Sequence, residues 1–221
     1  MGGFSDLSTP WIRRLFIAGA GVAIAQQCTG INSIMYYGTQ VLTQAGFSAS
    51  AALIANVANG VLAVVGSTIC LFFLMDRVPR RKLIIGGFIA TTTAHALIVI
   101  SAFLLPEGLT KAFVILFFMV TFVFFMQLAL NIPVWVIISE MFPLRLRGLG
   151  MGICVLCLWV ANAIVAFLFP IVVEAVGITG AFLVFVVLGL IAIAFLKVFL
   201  PETKDRSLEE LEDRFAAGQF R

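Results

Sequence analysis

The sequence predicts an all-α, polytopic membrane protein with six transmembrane helices, and three observations lead there. Of its 221 residues, 62% are apolar and 11% charged, with a mean hydropathy of +1.15, whereas a soluble domain carries about a quarter charged residues. From Leu15 to Met75 no charged residue occurs, as in lipid-embedded helix. Finally, the basic residues alternate sides. With spans near 13–35, 51–75, 83–105, 112–138, 149–172 and 181–200, all 14 lysines and arginines except Lys111 fall on one side. The positive-inside rule then places both termini in the cytoplasm, and an odd number of spans would destroy the asymmetry.

Residues 1–12 read as the end of a cytoplasmic linker. Thr9 and Pro10 suit an N-cap and first helical position, and the six-helix bundle occupies 13–200. The first span carries Gln26-Gln27-Cys28-Thr29-Gly30-Ile31-Asn32-Ser33-Ile34-Met35-Tyr36-Tyr37. Polar groups at membrane depth are costly unless they face protein or a water-filled cavity. These are neutral groups, mostly able both to donate and to accept, which suits an uncharged, polyhydroxylated ligand better than an ion or phosphate. Gly30 lets this helix bend or unwind. The alternative is that the amides and hydroxyls only tie helices together.

Residues 38–50 are expected to form a short outer segment, with Ser48 or Ser50 capping the second span. Asn59 in that span is either a ligand group or interhelical glue. The loop Asp76-Arg77-Val78-Pro79-Arg80-Arg81-Lys82 suits topology and lipid headgroups, and Asp76 beside arginines adds a candidate ion-pair latch. The third span holds His95; a lone membrane histidine can relay protons, but no carboxylate lies nearby in sequence, so it is read first as a packing or helix-bonding histidine. Thr110 is expected to cap the fourth span, which contains Gln127, Asn131, Pro133 and Trp135. Pro133 removes a backbone donor and should kink it. Trp135 is either a core residue or a platform for the C–H face of a sugar. Glu140 to Arg147 forms a second charged turn, and the fifth span carries Trp159 and Asn162. Residues 201–221 form a tail in which Ser207-x-x-Glu210 is a capping box for a short amphipathic helix, with Leu208, Leu211 and Phe215 on one side. Cys28, Cys70, Cys154 and Cys157 lie in apolar segments and read as packing residues. The interrupted polar spans are the first and fourth, a pairing typical of inverted-repeat transporters.

Four motifs then resemble one family. Gln26-Gln27-x-Thr-Gly-Ile-Asn32-x-x-x-Tyr36-Tyr37, Asp76-Arg77 with Arg80-Arg81, Ser139-Glu140 with Arg147-Gly148, and Pro201-Glu202-Thr203-Lys204 are similar to the sugar porter subfamily of the major facilitator superfamily. The flavour is closest to bacterial myo-inositol and hexose proton symporters. The resemblance covers the C-terminal six-helix half of a twelve-helix fold, that is, one set of 3+3 inverted repeats. It implies Gln26, Gln27, Asn32, Tyr36, Asn59, Trp135 and Trp159 as substrate residues. It also implies Tyr37, Gly30 and Pro133 as gate elements, and Asp76, Arg77, Arg81, Glu140 and Arg147 as a cytoplasmic charge network. Pro79, Asn131-Ile132 and Asp205 depart from the family pattern.

The function this resemblance implies is transport of a hexose, pentose or myo-inositol by alternating access, proton-coupled in the full-length form. The family's coupling acid sits in the other half. Such a chain is a fragment, pairs with a separate N-terminal half, or assembles with itself. The alternative is a sugar-binding sensor or inactive fragment. An enzyme is not expected, since no nucleophile–base pair, phosphate loop or metal-ligand cluster is visible, and neither cofactor nor nucleic acid is implied. The expected partners are the sugar, the bilayer and the N-terminal half.

Overall fold

The structure, a computed structural model, describes residues 9–204 and 208–217. The expected capping residue Ser207 and Asp205 lie outside the described residues, as does most of the expected linker. The described chain is helical throughout. α1 (Pro10–Cys28) and α2 (Ile31–Gln44) form the first traverse, and α3 (Ala49–Ile69) with a π-helical extension (Cys70–Leu74) forms the second. α4 (Arg80–Leu104) is the third. α5 (Leu109–Met126), a π-helical turn (Gln127–Asn131) and α6 (Ile132–Met141) make the fourth. α7 (Arg147–Phe199) is 53 residues long and is broken at Gly177 (φ 73, ψ 173), giving the last two. Among the described residues, five helical runs are long and apolar enough to cross a membrane. The break in the longest makes six traverses, since about 20 residues suffice for one.

The first traverse reaches Gln44 rather than ending near residue 35. The polar cluster is therefore its middle and not its end. Gly30, at φ 80, turns the backbone left-handed between α1 and α2, a conformation that costs other residues a steric penalty. α2 stops where Gly46 adopts φ 115. Ser48 then caps α3, its hydroxyl accepting from the Ala51 N–H at 3.4 Å. Thr9 and Gly108 take the N-cap positions of α1 and α5 without side-chain bonds. The N-cap of α5 is thus Gly108, two residues before the expected Thr110.

α1 and α4 pack on α7, α4 and α3 pack on α5, and the core runs between them. Its largest members include Phe88, Phe122, Phe142 and Phe182, all fully buried. Aliphatic and aromatic residues such as Ile54, Val64, Phe72, Phe103 and Phe167 lie on the outside, the distribution expected of a bundle whose solvent is hydrocarbon. The tail helix α8 (Leu208–Ala216) lies against α6 and buries Leu211 and Phe215.

Close approach depends on small residues. At Gly66 a Cβ would stand 2.7 Å from the Phe124 carbonyl oxygen, whereas at Gly60, in the same helix, nothing lies within 4 Å. Gly66→Ala is therefore expected to lower stability in detergent by about 1–3 kcal/mol, read as an earlier thermal midpoint. Gly60→Ala should leave the midpoint in place.

Candidate functional site at the helix break

α1 ends in a tight hydrogen-bonded turn. The Thr29 hydroxyl donates to the Gln26 carbonyl at 2.6 Å, and the Gly30 N–H donates to the Gln27 carbonyl at 3.1 Å. The backbone ladder resumes with the Ile34 N–H on the Gly30 carbonyl at 3.1 Å. This geometry gathers amides from both limbs of the first traverse. Asn32 Nδ2 donates to Gln27 Oε1 and to Asn162 Oδ1, each at 2.7 Å. One carboxamide thus ties the end of α1, the start of α2 and the middle of α7. Gln27 and Asn162 are buried and Asn32 is half-buried.

Gln26 turns away from this trio. Its Nε2 donates to the Leu130 carbonyl at 3.3 Å, inside the π-helical turn ahead of Pro133. Pro133 leaves the Ala129 carbonyl, four residues before it, without a backbone donor, and the Gln26 amide lands one residue beyond that acceptor, in the widened turn. Gln26 therefore joins the interruption of the first traverse to that of the fourth. The same π-helical turn is also tied to the second traverse, where the α3 Ser67 hydroxyl donates to Gln127 Oε1 at 3.3 Å.

Of the other expected site residues, Asn59 is buried and donates to Asn56 Oδ1 at 2.8 Å, while its own Oδ1 has no partner. Tyr36 and Trp159 are more than half exposed, and Trp135 is partly buried against the core. Among the described residues, no hydrogen bond joins these four to the amide trio. Tyr37 donates to the Ala166 carbonyl at 3.4 Å and lies 5.3 Å, ring to ring, from Phe169. Pro133 is buried in the first turn of α6. Asn162 was not among the expected ligands. Its signal was its position three residues after Trp159, which puts the two on one helix face.

The charged end is arranged differently from the expected network. Glu140 meets Arg80 at 3.5 Å and accepts from the Thr203 hydroxyl at 2.6 Å. Arg80 also donates to the Met75 carbonyl. Arg81 is engaged through Glu202, which accepts from its backbone N–H at 3.1 Å, and through the Lys197 carbonyl, which accepts from its guanidinium at 2.7 Å. Asp76 and Arg77 are exposed, their side chains without partners among the described residues, and Arg147 Nε is buried and unpartnered. The reason is Pro79. It occupies the N-cap position of α4, so Arg80 and Arg81 lie in the first helical turn while 76–78 stay in the exposed bend.

An apolar six-traverse bundle with neutral amides gathered at a broken helix defines a polytopic membrane protein with a buried polar site. Residues 3–215 match the family of sugar (and other) transporters, and the chain belongs to that family. It is 50% identical over 97% of its length to the major myo-inositol transporter IolT of Bacillus subtilis, of which it covers 45%. It is 34% identical to the glucose transporter GlcP of Staphylococcus epidermidis, covering 93% of this chain and 46% of that one. A solved structure of the major facilitator superfamily proton:xylose symporter XylE, bound to 6-bromo-6-deoxy-D-glucose, superposes with a TM-score of 0.79 at 26% identity. It covers 96% of this chain and 46% of that one. The chain thus spans about half the length of the relatives it matches, and its fold is one six-helix half of a major facilitator fold.

Thr203→Val keeps the shape of the clip at the charged end and removes the hydroxyl that serves Glu140. A hydrogen bond to a charged group contributes about 1.5–3 kcal/mol, less here because Glu140 is partly exposed. The tail should release more often, and tryptic cleavage after Lys204 should run several-fold faster than in the unaltered chain.

Proposed function

We propose that the chain is the C-terminal half of a secondary transporter that carries a sugar or polyol, a hexose, pentose or myo-inositol, by alternating access. The observation that carries this reading is the trio Gln27, Asn32 and Asn162 at the break in the first traverse. It presents neutral amides and no charge, in a bundle whose buried core is mostly apolar. A sugar hydroxyl both donates and accepts, so it can enter between Asn32 and either partner and replace the bond it breaks.

In this reading Gln27, Asn32, Asn162 and Asn59 hold hydroxyls, while Trp135, Trp159 and Tyr36 offer aromatic faces to C–H surfaces. Gln26 supports the site from behind through Leu130. The limb α2 pivots at Gly30 and closes over bound sugar, with Tyr37 at the outer gate. Closure is driven by the difference in affinity of the two states for the sugar. The end bearing Arg80, Glu140 and Thr203 faces the cytoplasm, as do both termini. Its ion pair and hydrogen bonds are made in one state and released in the other. A further six helices complete the cavity, and proton coupling resides among them. The names of the relatives, transporters of myo-inositol and glucose, support this substrate class.

The test is uptake of labelled myo-inositol and glucose into transport-deficient cells, by the chain alone and with a matching N-terminal half. Uptake by the pair is expected. Gln27→Ala and Asn162→Ala should each weaken apparent affinity about tenfold or more, the cost of leaving a polar ligand group unpaired. Saturable binding without uptake would instead favour a sensor. Uptake unaffected by both variants would remove the trio from the site.

A further inference from the structure

The break at Gly30 leaves the Thr29 carbonyl out of the backbone ladder. α2 resumes at the Gly30 carbonyl, so the Thr29 carbonyl, buried within the bundle, is served from outside its own helix. The group that serves it is His95 on α4, whose Nε2 lies 2.9 Å from the Thr29 oxygen. A carbonyl only accepts, so Nε2 carries the proton. The other ring nitrogen, Nδ1, is buried and has no partner. The imidazole is 1% exposed and sits among three phenylalanine rings, with centroids 4.2 Å from Phe122, 5.4 Å from Phe182 and 5.5 Å from Phe185.

The same rings continue toward the gate. Phe185 lies against Gly30 so closely that a Cβ there would meet its ring at 2.5 Å. Phe185 stacks on Phe169 at 6.0 Å and 10°, and Phe169 lies 5.3 Å from Tyr37. The break is thus backed at its lower edge by a hydrogen bond and along α2 by a row of rings. An aromatic box alone would need no imidazole, and phenylalanine would fill it. The nitrogen at hydrogen-bond distance from a carbonyl that the ladder skips distinguishes His95 from a packing residue.

We propose that His95 is a positioning residue for the transport site: its Nε2–H holds the carbonyl released by the break at Gly30, and through Phe185 and Phe169 this bracing extends to Tyr37. The angle between α1 and α2, and with it the spacing of Gln27 and Asn32, is set from behind by a residue that touches no substrate. This inference rests on the proposed transport function for its consequence, but not for its geometry.

The experiment separates the two roles of the imidazole in the full chain reconstituted in lipid. His95→Phe keeps the aromatic box and removes the donor. His95→Gln removes the ring and places an amide donor near the position of Nε2. Hydrogen exchange is followed by mass spectrometry over a peptide covering residues 29–37. His95→Phe should exchange there about tenfold faster, the fold-change expected from leaving one buried acceptor unpaired, and His95→Gln should stay within about twofold of the unaltered chain. With the partner half present, His95→Phe should raise the KM for sugar while leaving Vmax in place, and His95→Gln should restore the KM. Equal exchange in His95→Phe and the unaltered chain, or a glutamine variant as fast as the phenylalanine one, overturns the proposal. A variant-free measurement covers the case in which His95→Phe does not fold. The imidazole nitrogen spectrum of the labelled protein should show Nε2 protonated and Nδ1 bare, and the opposite tautomer overturns the proposal. If the unaltered chain moves no sugar in any combination, the transport reading fails, while exchange and tautomer still decide the bracing.

Discussion

A backbone carbonyl surrounded by hydrocarbon must be given a donor, and this requirement organises the bundle. An unbroken helix meets it internally. This chain interrupts its first traverse at Thr29–Gly30 and its fourth at Gln127–Asn131, and each interruption presents acceptors to the neighbouring helices. Leu130 is served by Gln26, and Thr29 by His95. The polar residues of the interior are therefore of two kinds. Some close the account of the broken backbone, and others, led by the Gln27–Asn32–Asn162 trio, bond one another and are free to change partners. Only the second kind suits a ligand that comes and goes.

The two ends of the bundle differ for the same reason. At the basic end water is near, and charge can be used directly. Glu202 accepts from three backbone N–H groups, those of Arg81, Thr203 and Lys204. It thereby pins the start of the tail onto the start of α4. Glu140 joins α6 to both through Arg80 and Thr203. Ion pairs of this kind are worth little when exposed. Here the contribution comes from geometry, because three segments far apart in sequence meet at two carboxylates.

The fold was legible in the sequence because membrane helices are declared by length, hydropathy and charge placement, all of which are local. Glycine at position 30 and proline at 133 also announced their breaks, since both act through the backbone of the residues beside them. What was less legible depends on contacts between traverses. Gln26 and Gln27 are adjacent and chemically identical, yet one faces Leu130 and the other Asn32. Only the packing of α1 against two different helices separates them. Asn162 was a lone amide in an apolar span, and its one local signal, a helix face shared with Trp159, says nothing of the partners it meets on α1 and α2. Arg80 and Arg81 are likewise neighbours. Which one reaches Glu140 follows from where Pro79 starts α4, a matter of helical phase that a list of basic residues does not contain.

The turn at Gly177 links residues 147–176 to 178–199 by a single residue outside helical geometry. Glycine in open space is a joint at which the two limbs can change their mutual angle. The first limb carries Trp159 and Asn162, and the second carries Phe182 and Phe185, which press on His95 and on Gly30. The two limbs therefore reach the site from two sides and share one glycine joint between them. The amide of Asn162 and the rings behind Gly30 thus belong to one stretch of chain folded at a single point, like two arms of one hinge.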